Sequence, residues 1–364
     1  MTVAVVVGTR PEAIKLAPIV ELLGSRALVI HTGQHYSASM SGTLTPHLGL
    51  PAPSPWSAAR PATRSAQLGH LTAALGHVFT SRRPAVVVVH GDTTSALAGA
   101  LAANTAGLPL VHVEAGLRSF DRTMPEEHHR VLIDHLADLC CAPTPTAHEN
   151  LLAERIPPDR IQLTGNTIVE ALEAALPSAE HQARTLAHFG LVNDGYVLAT
   201  FHRPENVDQP DNLSTILAQL DSLPSPVLLP AHPRTRSRID NYGLHEPTGA
   251  LRLVEPLDYP DFLALACHAA LIISDSGGIQ EEATVLKRPI LVVRRSTERP
   301  EIEGTFGQRT TPGPHLASLA THWLSNRPRK LAELASPYGD GRASRRIAHS
   351  LDAMANEITT AKTA

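Results

Sequence analysis

Short runs that are apolar at every position alternate along this chain with longer segments whose apolar residues recur every three to four positions. The runs are VAVVV (3–7), LVIHT (28–32), AVVVVH (85–90), LVHVE (110–114), LCCAP (139–143) and IQLTG (161–165). A second series follows: YVLATFH (196–202), PVLLPAH (226–232), LRLVEP (251–256), ALIIS (270–274) and PILVV (289–293). Continuous Val/Ile/Leu runs, rather than apolar–polar alternation, predict parallel strands covered on both faces. The segments between them, such as TTSALAGALAANTAG (93–107), are long enough for crossover helices. A connection near residues 167–195 separates the two series. The fold class predicted is therefore α/β, with two Rossmann-like doubly wound domains, 1–167 and 168–345, facing each other across a cleft.

Composition narrows the function more than the fold. The chain has 364 residues, of which 43% are hydrophobic, enough for two cores. Net charge is −4 with no block of like charge, which argues against a nucleic-acid or membrane surface. No apolar stretch approaches the ~20 residues of a membrane span. The start, MTVAVVVGTRPE, reads as a first strand rather than a leader. Cys140, Cys141 and Cys267 form neither a disulfide framework nor a zinc motif, so a cytoplasmic location is expected. The histidines include no HExxH pair and no Cys/His spacing, so no metal is expected.

In doubly wound sheets ligands gather at the C-terminal ends of strands. At the first such junction, VVVGTRPEAIK, Thr9 and Glu12 have capping-box spacing and Pro11 suits a first turn. Arg10 is different, because a cation at the positive end of a helix is unfavourable unless an anion sits beside it. With Lys15 one turn on, it suggests a phosphate or carboxylate site. In VVVVHGDTTS, Asp92 stands at a strand end, where helix capping is the competing reading. In HVEAGLRSFDRTMPEEHHR, Glu114 closes a strand and Glu126 and Glu127 follow a proline. The plain reading of the latter pair is acidic residues in a helix's first turn. Brought together, such carboxylates would raise one another's pKa and suit proton transfer.

The second series offers His202 and Arg203 in TFHRPENV, at neutral pH a possible acid, base or phosphate partner. In SDSGGIQEEA, Ser276, Gly277 and Gly278 turn from a strand into a helix, exposing backbone N–H groups suited to phosphate. Glu282, one to two turns on, suits a ribose diol. RRSTERPE then supplies Arg294, Arg295 and Arg299 as cations for a diphosphate. Glycines, ribose acceptor and arginine in this order point to a nucleotide-diphosphate site.

GTRPEAIKLAP, GDTTSALAGALAA, HVEAGLRS, PEEHHR, TGNTIVEAL, FHRPEN, EPLDYPDF and SDSGGIQEEA…STERPE together resemble the non-hydrolysing UDP-N-acetylglucosamine 2-epimerases, from residue 8 to about 305. The resemblance implies a glycosyltransferase-B-like fold whose C-terminal helix, about 346–364, packs back on the first domain, and a homodimer. It implies inversion at C-2 by anti elimination of UDP to a 2-acetamidoglucal and re-addition, with neither metal nor other cofactor. Residue by residue, it makes Asp92, Glu114 and Glu126 acid/base carboxylates and His202 a neighbour of the diphosphate. Arg10, Ser276, Gly277, Gly278 and Arg299 would hold phosphate, Glu282 the ribose and Phe262 the uracil.

The chain departs from the pattern in places. Pro204 stands where many relatives have a second arginine, and His128-His129 replaces a small or apolar residue and asparagine. The stretch from Glu114 to Glu126 is shorter, and the residues after Gly33, Gln34 and His35 lack those many bacterial relatives use for a second, regulatory nucleotide sugar. Alternatives at this point are a hydrolysing epimerase, an epimerase of a modified UDP-sugar, a glycosyltransferase and a non-catalytic sensor. A transferase is expected to carry an acceptor-binding insertion in its first domain, and none is visible.

Overall fold

A computed structural model describes residues 2–34, 63–244, 247–326 and 330–363, with side chains in the last helix to residue 356. The segment after Gln34, including His35, lies outside the described residues. The chain forms two units, Met1–Ala171 with Tyr338–Ala364, and Leu172–Pro337.

The first unit holds a six-stranded parallel sheet: β1 (Val3–Val7), β2 (Ala27–His31), β3 (Val86–His90), β4 (Leu110–Val113), β5 (Leu139–Ala142) and β6 (Ile161–Leu163). Its spatial order is β2-β1-β3-β4-β5-β6, so the order reverses beside β1 and β3. Apolar residues on both faces explain why the runs do not alternate. Ala4, Val6, Val87 and Val89 enter one core layer, with Leu71, Leu75 and Phe79 of the helix Arg64–Arg82. Val3, Val5, Val7, Val86 and Val88 enter the other, with Leu16, Ile19 and Leu23 of the helix Arg10–Leu23. Each fully buried valine contributes about 1.5–3 kcal/mol. Ile347 and Leu351 of the C-terminal helix Ala343–Thr363 join this second layer.

The second unit repeats the plan with β7 (Val197–Thr200), β8 (Val227–Pro230), β9 (Leu251–Val254), β10 (Leu271–Ser274), β11 (Ile290–Val293) and β12 (Gly307–Thr310). The order is β12-β11-β10-β7-β8-β9, all parallel, with its reversal beside β7 and β10. The last strand, GQRT, carries no apolar run; it is an edge strand that pairs with β11. Among the described residues no helix is long and apolar enough to cross a membrane.

One glycine decides how tightly the first switch point closes. A Cβ on Gly8 would stand 2.2 Å from Ser95 Oγ, at the start of the helix Thr94–Thr105. Ser95 in turn bonds Thr32 Oγ1 at 2.6 Å and Gln34 Oε1 at 2.8 Å. The ends of β1, β2 and β3 are thereby drawn together.

Candidate active site

In the first unit the sequence-predicted residues follow β1, β3 and β4, at and beside the reversal. Glu12 caps its own helix, accepting from the N–H groups of Gly8 (2.9 Å) and Thr9 (2.6 Å). It also accepts from Thr93 Oγ1 at 2.7 Å, which ties the starts of two helices together. Burial raises its pKa, against the hydrogen bonds and the charge of His90, which lower it. Arg10 is half-buried at the first position of that helix.

Glu114 is the centre of the cluster. Its φ of 67° is left-handed, a conformation costing a non-glycine residue about 1–3 kcal/mol. Strict strand alternation from Val111 and Val113 would send Glu114 to the opposite layer. The left-handed turn instead accompanies contacts with the helix Arg10–Leu23. Glu114 Oε2 pairs with the Lys15 ammonium and accepts from Asn166 Nδ2 at 2.8 Å. The carboxylate that Lys15 holds is therefore the protein's own. Lys15 and Glu114 are both buried, 3% and 7% exposed.

Asp92 keeps 30% of its side chain exposed and faces the Arg130 guanidinium. His129 Nδ1 donates to the Asp92 carbonyl at 2.8 Å, so this departure from the family pattern keeps a donor, as an amide would. Glu126 lies three and four residues before His129 and Arg130, hence on the same face of the helix Pro125–Leu136. Its carboxylate is half-buried and has no hydrogen-bond partner among the described residues. Glu127 is structural: it accepts from Ser119 N (3.0 Å), Ser119 Oγ (2.9 Å) and Phe120 N (2.8 Å), folding the shortened loop, and pairs with Arg130 at 2.6 Å. Mutual repulsion of carboxylates was the expected device. The observed one differs, because Asp92 and Glu114 each face their own cation.

A buried network supports these loops from below. His112 contacts Asp134 Oδ1 at 2.6 Å and the Gly91 carbonyl at 2.8 Å. Arg118 reaches Asp134 at 2.7 Å and Glu154 at 2.6 Å. Burial would raise the Asp134 pKa, but His112 and Arg118 hold it below the usual carboxylate range.

In the second unit the residues follow β7 and β10. Asp275, fully buried, accepts from the N–H groups of His202 (3.1 Å) and Arg203 (3.0 Å) and from Asn206 Nδ2 (3.0 Å). His202 Nδ1 lies 3.2 Å from Asp275 Oδ1, and its side chain is 39% exposed. Desolvation lowers the His202 pKa; Asp275 opposes this, while Arg203, Arg294 and Arg234 add to it. Pro204 opens the short helix Pro204–Val207.

The helix Gly277–Val285 begins after Ser276 with no side-chain cap, leaving first-turn N–H groups without that partner. Its two glycines do different work. A Cβ on Gly277 would come 2.7 Å from Arg299 Nη1 and 2.9 Å from Glu298 Oε1, whereas one on Gly278 meets nothing within 4 Å. Arg299 is buried, with Nε on Glu281 Oε1 at 2.6 Å and Nη1 on Glu298. Arg294 is buried beside Glu298 at 2.9 Å, and of the three arginines expected here Arg295 is the exposed one. Glu282 accepts from Tyr259 Oη at 3.0 Å, and Phe262, three residues after Tyr259 on the helix Tyr259–Ala266, is partly buried. Among the described residues no three His, Cys, Asp or Glu side chains are placed to hold a metal ion.

His90, Arg130, Asn166, Tyr259 and Asp275 are the residues that sequence reasoning did not single out. Each except His90 lay inside a motif quoted for the resemblance, and, Glu127 beside Arg130 apart, their partners named here lie tens of residues away.

The family model described as UDP-N-acetylglucosamine 2-epimerase matches residues 24–352. The chain belongs to the UDP-N-acetylglucosamine 2-epimerase family. A relative of that name from Methanocaldococcus jannaschii is 38% identical over 361 residues, covering 95% of this chain and 98% of the relative. The crystal structure of Methanocaldococcus jannaschii UDP-GlcNAc 2-epimerase with UDP-GlcNAc and UDP superposes with a TM-score of 0.87 at 37% identity, covering 97% of this chain and 99% of that one. A UDP-2,3-diacetamido-2,3-dideoxy-D-glucuronate 2-epimerase from Pseudomonas aeruginosa is 34% identical, covering 96% of this chain and 99% of its own. Family members thus differ in the substituents their named sugars carry, and the two sheets described above are the glycosyltransferase-B-like pair of the epimerase family.

Proposed function

We propose that this chain interconverts UDP-N-acetylglucosamine and UDP-N-acetylmannosamine without net hydrolysis. The observation that carries the reading is Glu114, a strand-end carboxylate buried on Lys15 and Asn166, with Asp92 and Glu126 on neighbouring elements. One carboxylate removes the C-2 proton; the C-2 electron pair forms the C-1=C-2 double bond, and the C-1–O bond breaks with its pair leaving on UDP. Re-addition of UDP, with a proton delivered to the other face of C-2, gives the epimer. No single side chain easily serves both faces, which is why more than one carboxylate is needed.

The nucleotide belongs to residues of the second unit. Backbone N–H groups at Gly277 and Gly278 and the Ser276 hydroxyl take the diphosphate, because an uncapped helix N-terminus with open space at Gly278 favours an anion, whereas the Ser276 N–H already donates to Ser274 Oγ at 3.0 Å. His202 stands beside the diphosphate, Glu282 accepts from the ribose, and Phe262 covers the uracil. Arg10 supplies a further cation, and Arg299 acts chiefly by holding the turn at Gly277. The enzyme is assigned to the cytoplasm, in keeping with its free thiols, and to a homodimer, which sedimentation equilibrium would test.

Proton NMR of the protein with UDP-N-acetylglucosamine alone in D2O tests the reading. The manno isomer, deuterated at C-2, is expected; free sugar plus UDP would make the enzyme hydrolysing, and no exchange at C-2 would refute it. The Pseudomonas relative favours one second reading, an epimerase of a more substituted UDP-sugar. A kcat/KM markedly higher for the diacetamido uronate than for UDP-N-acetylglucosamine would establish it.

A further inference from the structure

Glu282 lies in the second turn of the helix Gly277–Val285 and is 9% exposed. Its Oε1 accepts from the phenol of Tyr259 at 3.0 Å, and Tyr259 is itself 7% exposed. The two residues stand 23 positions apart, on helices whose apolar faces enter one cluster through Leu265, Ala266 and Ala283. That packing sets the distance across which the phenol and the carboxylate meet.

The helix Tyr259–Ala266 is short but fastened where Tyr259 sits. Asp258 caps it, accepting from Asp261 N at 2.9 Å. Asp261 Oδ1 in turn accepts from Thr185 Oγ1 at 3.0 Å and meets His181 Nε2 at 2.8 Å, both on the helix Ala179–Phe189. Tyr259, the first residue of the helix, is therefore a fixed donor. A glutamate has three side-chain torsions by contrast, and immobilising a loose one on binding weakens a ligand by up to about tenfold. One phenol O–H occupies one of the roughly four lone-pair positions of a carboxylate, which leaves the group able to accept from a diol as well.

We propose that Tyr259 is a positioning residue for the nucleotide: its phenol orients the Glu282 carboxylate towards the ribose hydroxyls before the ligand arrives, and the pair thereby selects ribonucleotides over deoxyribonucleotides. Tyr259 acts through Glu282. The proposal rests on the reading of Glu282 as the ribose acceptor. A bond that served only to satisfy a buried phenol would affect stability and leave the preference for ribose untouched.

The test is calorimetric titration of the full chain with UDP and with 2′,3′-dideoxy-UDP, which lacks both hydroxyls. The wild type is expected to prefer UDP by at least about thirtyfold, as even one hydrogen bond to a charged group implies. In Tyr259→Phe, which keeps the ring and its packing, UDP should bind about tenfold more weakly and the dideoxy ligand within about twofold of wild type, so the preference shrinks. KM for the UDP-sugar should rise while kcat stays within about threefold, because the ribose is held alike before and during the reaction. Tyr259→Leu, which also lacks the donor, carries the test should the Phe variant not fold. An undiminished preference for UDP in the variant, or a fall in kcat with KM unchanged, would overturn the proposal. Glu282→Ala separates the two ideas. If wild type and Glu282→Ala show the same preference, the ribose assignment of Glu282 fails; if Glu282→Ala loses the preference and Tyr259→Phe keeps it, the role of Tyr259 alone fails.

Discussion

The two units use buried charge in opposite ways. In the first, the groups proposed to work on the sugar are acidic side chains: Glu114 on Lys15 and Asp92 on Arg130, each carboxyl set against a cation. In the second, the ionised groups are scaffolding. Glu281 and Glu298 hold Arg299 beneath Gly277, Asp275 gathers the His202–Asn206 loop, and the start of the helix at Gly278 presents bare backbone. Moving protons requires groups that change charge, whereas gripping a phosphate requires donors that do not. The same parallel-sheet plan serves both because its strand ends differ in what they present.

The comparison breaks hardest at Arg299. Arg299→Ala removes the cation shared by two buried carboxylates, and a loss of about 3–5 kcal/mol in urea unfolding is expected. A change in UDP affinity with stability intact would instead place Arg299 among the ligand's own contacts. Next come the carboxylates of the first unit. Asp92→Asn, Glu114→Gln and Glu126→Gln are each expected to cut epimerisation by at least ~100-fold. UDP titration by calorimetry should change little in all three; near-normal turnover in all of them would make them capping residues.

A smaller effect sharpens the second unit. Gly278→Val meets open space, so its melting temperature should match the wild type while UDP binds about tenfold more weakly, as loss of one charge-assisted hydrogen bond implies. Gly277→Ala should do the reverse and destabilise the fold through its contact with Arg299. Equal UDP affinity in Gly278→Val would remove the diphosphate from this turn.

The smallest effect is one of pH. Burial lowers the pKa of His202, and of His31 and His268 in the same direction. Above pH 6.5 these rings are neutral folded and unfolded, and their contribution is complete. As pH falls from 6.5 towards their lower folded values, the unfolded chain binds protons that the folded one does not, and stability drops. Glu12, whose pKa is raised, has the opposite sign: its contribution is present below 4.5 and lost as pH rises through its folded value. The nucleotide-free protein should therefore melt lower at pH 5.5 than at pH 7, and His202→Asn should flatten that slope. An unchanged slope would mean that His202 contributes nothing to it.

Most of the fold was legible because both faces of each sheet are covered, which forces unbroken apolar runs such as VVVV at 86–89. The strand Gly307–Thr310 was not, since an edge strand gets its ladder from β11 rather than from its own residues. Strand-end residues such as Glu114 and His202 could be nominated from their position alone. Their partners could not. Lys15 and Glu114 stand 99 positions apart, and Arg299 was read as a ligand cation because nothing local reveals Glu281 beneath it. His90 looked like the last residue of a strand, and only its buried ring nitrogens, without a hydrogen-bond partner among the described residues, mark it out.

The left-handed backbone at Glu114 narrows what selection can try there. Glycine, asparagine and aspartate enter that conformation most readily. Of these, glycine has no carboxyl, asparagine has no charge, and aspartate is one methylene shorter in its reach towards Lys15. The neighbours easiest on the backbone are thus the poorest in chemistry, and the residues nearest in chemistry gain nothing from the backbone. A lineage drifting to a new sugar would have to vary around Glu114 and leave that position alone.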